Sequence, residues 1–210
     1  MKDTHRIKAA VYIVSAIWSI VLFAAGVQLP GAWAKVLSFV PLLIVLLFAA
    51  FDNWLWRLGP VKGLVRRPYL TGTWKGTLTS FRAGPDGQEI AYPAIPIYVV
   101  VRQTYLDLSI TLLTSESKSR SIIAFVQASH SDDYTIFYHY ANLPGLPVRE
   151  RSPEHSGGAR IEAFGLVPLS LDGEYWTNRR SRGTFEVRRA SDKVFGSYQE
   201  AAAELDGSGS

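Results

Sequence analysis

The sequence predicts a membrane-anchored all-β protein, an N-terminal two-helix transmembrane hairpin followed by a small closed antiparallel β-barrel of about eight strands. Three observations lead there. The longest apolar runs fall within the first 58 positions, in two uncharged stretches at 9–27 and 36–51. From residue 69 the apolar spacing changes to period two, the alternation of a strand with one buried face. Turn residues recur between the alternating stretches, the pattern of a sandwich or a closed barrel.

A helix needs roughly 20 apolar residues to cross a bilayer core. The run "AAVYIVSAIWSIVLFAAGV" has nineteen uncharged residues. The run "VLSFVPLLIVLLFAAF" is extended by Trp54 and Trp56, residues suited to the headgroup level. The expected helices are therefore 9–27 and 36–56, with Pro41 tolerated inside a membrane helix. The link "QLPGAWAK" is short and turn-rich, which makes a hairpin. A cleaved signal peptide is disfavoured because a second apolar run follows at once. A pair of buried soluble helices is disfavoured because the amphipathic pattern is missing.

Lys2, Arg6 and Lys8 precede the first run, and Arg57, Lys62, Arg66 and Arg67 follow the second; the link holds only Lys35. The positive-inside bias then expects a multi-pass protein with both termini and the barrel cytoplasmic. The expected divisions are 1–58, transmembrane; 59–68, a basic juxtamembrane neck suited to anionic lipid rather than nucleic acid; 69–205, the barrel; and 206–210, a flexible tail or linker.

The barrel opens with "YLTGTWKGTLTS" (69–80), whose Gly72 and Gly76 permit tight coiling and close backbone approach. Trp74 between them is suited either to plugging one barrel end or to stacking on a ligand. "IPIYVVVRQT" (95–104), "YLDLSITLLT" (105–114), "SIIAFVQA" (121–128), "YTIFYHYAN" (134–142), "ARIEAFGLVPL" (159–169), "GEYWTN" (173–178) and "RGTFEVRR" (182–189) read as the remaining strands. "AGPDGQ", "SESKSR", "SHSDD" and "LDGE" read as turns. A longer loop spans 142–158, and a short helix ends the domain.

The absence of cysteine excludes disulfides, thiolate metal sites and a cysteine nucleophile. His5, His130, His139 and His155 have no ligand spacing. No nucleophile elbow, Walker loop or dinucleotide fingerprint is present. The expectation is a non-enzyme with no catalytic residues, no metal and no cofactor. The net charge of +4 is too small to choose among anionic partners.

Two apolar helices, a basic neck, "LTGTWKGTLTS", "ITLLTSESKSRS" and "GEYWTNRRSRGTFEVRR" occur in that order. The layout resembles the two-transmembrane, β-rich effectors of bacterial CBASS anti-phage systems. That resemblance implies a barrel receptor for a cyclic dinucleotide made by a cGAS-like nucleotidyltransferase (a CD-NTase). It also implies self-association on binding, and a lipid bilayer of the bacterial inner membrane as the target. No nucleic acid is expected.

A cyclic dinucleotide offers two phosphates, suited to arginine forks, and two flat bases, suited to aromatic faces and hydrogen-bonding side chains. "EYWTNRRSR" supplies the densest such chemistry: Tyr175, Trp176, Thr177, Asn178, Arg179 and Arg180. Arg179 and Arg180 are the phosphate candidates; the others are base or barrel-mouth candidates. Ser117 and Ser119 in "TSESKSRS" are further candidates, beside the plainer reading of a solvated turn. The rival readings are a structural or protein-interaction barrel without nucleotide, and a lipocalin-like binder of a small apolar molecule.

Overall fold

The computed structural model describes residues 2–24, 32–83, 88–129, 132–150 and 152–207. The chain divides into two compact units, Met1–Val61 with Thr104–Leu106, and Lys62–Gln103 with Asp107–Ser210.

The first unit contains α1 (Lys2–Ala24), α2 (Ala32–Asn53) and a 3-10 turn at Leu55–Arg57. Asp52, buried near the end of α2, pairs with the Lys8 ammonium at 2.6 Å. It also accepts the Leu106 N–H at 2.9 Å. The Tyr105 ring stands edge-on to Phe51, with centroids 4.9 Å apart.

Among the described residues no helix is long and apolar enough to cross a membrane. This corrects the expected two-helix transmembrane hairpin and the multi-pass inner-membrane placement with cytoplasmic termini. The reason lies in what interrupts the apolar runs. The residues from Lys2 to Lys8 include Lys2, Asp3, Arg6 and Lys8, which leaves only 9–24 uncharged within α1. In α2, Lys35 and Asp52 bracket the uncharged run 36–51. Sixteen helical residues rise about 24 Å, short of the ~30 Å hydrocarbon core. Of the expected hairpin link, 28–35, residues 28–31 lie outside the described residues and 32–35 belong to α2.

The expected neck holds α3 (Gly59–Val65), and the strands belong to the second unit. The strands are β1 (Gly72–Ala83), β2 (Glu89–Ala91), β3 (Ile95–Gln103), β4 (Leu108–Leu113), β5 (Ser117–Ala128), β6 (Asp133–Pro144), β7 (His155–Phe164), β8 (Ser170–Thr177) and β9 (Arg182–Ser191). All pairings are antiparallel, and β3 through β9 pair in chain order. β1 pairs with β3 on one side and β9 on the other, which closes an eight-strand barrel. The short β2 adds to the far end of β1, opposite Phe81–Ala83.

Alternation sets the two faces. Trp74, Leu78, Ile97, Val99, Val101, Ile110, Ile136, Ile161, Leu171, Phe185 and Val187 fill the interior. On the outside, α4 (Tyr198–Asp206) brings Ala201 against Tyr98, Val100 and Leu113. Its N-cap, Ser197, accepts the Glu200 N–H at 3.2 Å, the expected role of a serine at that position. The Tyr98 hydroxyl donates to Asp206 at 2.8 Å.

One end of the barrel is sealed. Trp74 is wholly buried, and its indole N–H donates to the Leu70 carbonyl at 3.0 Å. The Arg189 guanidinium lies 4.8 Å over the Trp74 ring and 5.4 Å over Tyr69. Gln103 accepts from Leu70 N and donates to Pro68 O, at 2.9 and 3.0 Å. The flanking glycines are there for closeness. A Cβ on Gly76 would lie 1.9 Å from the Glu186 carbonyl, and Gly72 takes φ +138°. Any side chain at either position would push β9 off β1.

Two expected turns are strand instead. "LDGE" lies inside β8, because the chain reverses earlier, at Gly165 with φ +80°. Gly173 faces inward there, where a Cβ would meet the Phe185 ring. β5 begins at Ser117, so most of "SESKSR" is strand.

Candidate functional site

The barrel end opposite Trp74 is open. A cavity of about 640 Å³ is lined there by the ends of β1, β4, β6 and β8, the starts of β3, β5 and β7, and the turn that leads into β9. That is within the usual few hundred to ~1,000 Å³ of small-molecule sites. The antiparallel order brings all eight termini to one mouth.

The inner row of β6 runs Tyr134, Ile136, Tyr138, Tyr140, Asn142, so it turns from apolar to polar towards this mouth. Tyr138, Tyr140 and Asn142 line the cavity. Asn142 is buried, and its carbonyl accepts the Ser119 hydroxyl at 2.7 Å. That bond orients the amide and leaves its NH₂ as a donor, 3.5 Å from His155 Nδ1. His155 Nδ1 also lies 3.2 Å from the Pro153 carbonyl. The Tyr175 hydroxyl is 2.6 Å from Ser80 Oγ, across the gap between β8 and β1.

The β8–β9 turn aims Arg179 at the cavity. Thr177 N donates to Ser181 O at 2.9 Å, and Thr177 Oγ1 accepts from Arg179 N at 3.2 Å. Arg180 takes the left-handed φ of +61°. Through this turn exposure alternates, so Thr177, Arg179 and Ser181 are half-buried while Asn178 and Arg180 are exposed. The Arg179 guanidinium donates to Pro153 O at 3.3 Å and Ser152 Oγ at 3.5 Å. Its Nε is buried and has no hydrogen-bond partner among the described residues.

The electrostatics favour neutral phenols beside one fixed cation. Burial pushes the Tyr138, Tyr140 and Tyr175 hydroxyls up from their ordinary range, so all three are protonated at neutral pH. His155 is pushed down, first by burial and then by Arg179, against the opposing pull of the Pro153 carbonyl. The site therefore presents hydroxyl and amide donors around a half-buried guanidinium, with exposed Arg82 on the far rim.

The sequence-derived candidates separate cleanly. Arg179, Thr177, Tyr175, Ser117 and Ser119 line the cavity. Trp176 points outward, where its ring lies against Gly158, and Asn178 borders the same outer surface. Arg180 is exposed outside the cavity lining, and Trp74 is in the core at the sealed end. Sequence reasoning did not single out Tyr138, Tyr140, Asn142, His155, Ser80, Arg82 or Tyr92 as site residues. The signal for the first three was the inner row of β6, with its period of two and its polar end.

A closed antiparallel barrel with one sealed end and one aromatic, hydroxyl-rich mouth is the build of a small-ligand receptor. Residues 65–189 match the family model described as "Cap15, cyclic dinucleotide receptor domain", and the chain belongs to that family. The chain is 19% identical over 188 residues to the CD-NTase-associated protein 15 of Staphylococcus schleiferi, covering 90% of this chain and 97% of that protein. A redesigned β-barrel of known structure is similar at 15% identity over 57% of this chain and 90% of its own, with a TM-score of 0.35. The family and the relative support a CBASS effector that senses a cyclic dinucleotide.

Proposed function

We propose that the open end of the barrel holds the cyclic dinucleotide, and that binding there promotes self-association as the effector's output. The observation that carries the site is Arg179, half-buried in the cavity wall. Among the described residues its guanidinium is held by long bonds to a carbonyl and a hydroxyl, at 3.3 and 3.5 Å. A phosphodiester oxygen is a better acceptor than either.

In this reading Arg179 pairs with one phosphate, and Arg82 approaches the second from the rim. Tyr138, Tyr140 and Tyr175 face the bases and the sugar–phosphate ring with protonated hydroxyls. Asn142, oriented by Ser119, hydrogen-bonds a base edge. The role is binding, without a catalytic step. A lipocalin-like apolar ligand suits the site poorly, because Thr114, Ser117, Ser119, Thr177 and Ser181 ring the mouth with hydroxyls.

The test is a calorimetric titration of the protein with a panel of cyclic di- and trinucleotides. Micromolar or tighter binding to one dinucleotide, lost in Arg179→Glu with the fold intact, is the expected outcome. No binding across the panel by folded protein, or undiminished binding by Arg179→Glu, would overturn the reading.

A further inference from the structure

Charge on the outer barrel wall is gathered into two opposed sectors. The basic one lies on β3, β4 and β5. Arg102 stands opposite Ser109, and Thr111 opposite Arg120. Arg102 and Arg120 are exposed, and neither has an ion-pair partner among the described residues. Lys118 emerges beside Arg120. Its ammonium is held below the usual lysine range by burial and then by Arg120 and Arg102, with Glu200 of α4 opposing them. These cations crowd one another, and Glu200 offsets them only in part.

The acidic sector lies on β7, β8 and β9. Glu162 stands directly opposite Asp172, and Asp172 directly opposite Glu186. Like charges placed so weaken a sheet. Arg160 pairs with Glu162 at 2.5 Å and with Glu174 at 3.5 Å. Asp172 and Glu186 have no ion-pair partner among the described residues. Arg188 lies on the next row, opposite Ser170. The carboxylates line a groove of about 470 Å³ over Gly173.

In the closed ring of β1-β3-β4-β5-β6-β7-β8-β9 the sectors centre on β4 and β8, four strands apart in either direction. They therefore face opposite ways. We propose that the barrel binds a second copy of itself head to tail, with Arg102 and Arg120 of one subunit entering the groove lined by Glu162, Asp172 and Glu186 of the next. Arginine forks match carboxylates in geometry as well as charge. The contact uses two different patches, so each pair leaves one of each unfilled, and association continues into open chains instead of stopping at a dimer. This rests on the self-association proposed above and names its faces. None of these five side chains lines the ligand cavity.

The protein has no cysteine, so single thiols report the contact in the full chain. Ser109→Cys places one in the basic sector and Thr184→Cys one beside the acidic groove. The two variants are mixed and mildly oxidised, with and without the cyclic-nucleotide panel. The expected result is a mixed disulfide dimer in about fivefold excess over either homodimer at ~25 mM NaCl, falling severalfold at ~500 mM as the charges are screened. Adding Arg102→Glu and Arg120→Glu to the first variant should abolish it. Adding Asp172→Lys and Glu186→Lys to the second should then restore it. Dominant homodimers, a yield indifferent to salt, no restoration, or no mixed dimer under any condition would each overturn the proposal. Calorimetry on the same variants keeps the two readings apart. Intact ligand binding without the cross-link refutes the faces alone. Cross-linking without binding by any panel member refutes the receptor reading alone.

Discussion

The two ends of the barrel are built from the same strands and do opposite things. At the Trp74 end, most polar groups are paired within the protein: the indole N–H has Leu70, Gln103 has Leu70 and Pro68, and Arg189 donates to the Tyr69 and Thr71 carbonyls while lying across two rings, although its Nε and the Thr71 hydroxyl have no hydrogen-bond partner among the described residues. At the Arg179 end, beside the short Ser119–Asn142 and Ser80–Tyr175 bonds, a phenol, an amide, an imidazole and a guanidinium make contacts of 3.3–3.5 Å around a cavity. One end is packed within the protein, and the other leaves polar groups facing a cavity, the groups that the proposed function uses for recognition. Changes at the first should be read in unfolding and changes at the second in binding.

The largest expected effect is at the sealed end. Trp74→Ala should lower stability by about 3–5 kcal/mol, the range for truncating a buried aromatic, read as a shifted denaturant midpoint. A drop below about 1 kcal/mol would mean that this end is not the structural one. Next, Arg179→Glu should weaken cyclic-dinucleotide binding by more than about 100-fold, through loss of a charge-assisted contact and added repulsion, while Arg180→Glu changes it by less than about threefold. Equal losses in the two variants would erase the distinction between inward and outward arginines. Tyr140→Phe removes one buried donor and should cost about 1 kcal/mol of binding, roughly fivefold, with little change in stability.

The smallest effect concerns His155. Its folded pKa lies below the ordinary 6.5, so the unfolded chain binds the proton more readily. Its contribution to stability is present in full above pH ~6.5 and is lost as pH falls through the folded value. His155→Asn should flatten the stability–pH profile in that window only. An unchanged profile would place the imidazole in contact with solvent.

Period-two alternation made most of the barrel legible, because burying one face of a sheet leaves a regular trace. β3, β4, β6 and β9 are cases in point. The short β2 was missed because three exposed residues, Glu89–Ala91, carry no alternation at all. "LDGE" misled because aspartate and glycine mark turns in general, whereas Gly173 is small for the sake of the Phe185 ring. The transmembrane expectation rested on uncharged length, and the charged residues that flank both apolar runs cut that length short. At the site, composition led to Arg179, but a cluster of recognition residues cannot all face one way on a strand. Alternation sends Tyr175 and Thr177 inward and Trp176 outward. Asn142 and His155 were hidden because their positions depend on pairing across β5, β6 and β7.

The closure of the ring bears on how the chain folds. Every strand from β4 to β9 pairs with its predecessor, but β1 must also meet β9, with Trp74 opposite Arg189. Loop closure over that distance is the slow kind of contact. During synthesis β1 is complete about a hundred residues before its second partner exists, so one of its edges waits unpaired. An open edge invites pairing with other chains. The seam between the first and last strands is therefore where misassembly should begin, and the Trp74–Arg189 stack, which needs both, can form only once the ring has shut.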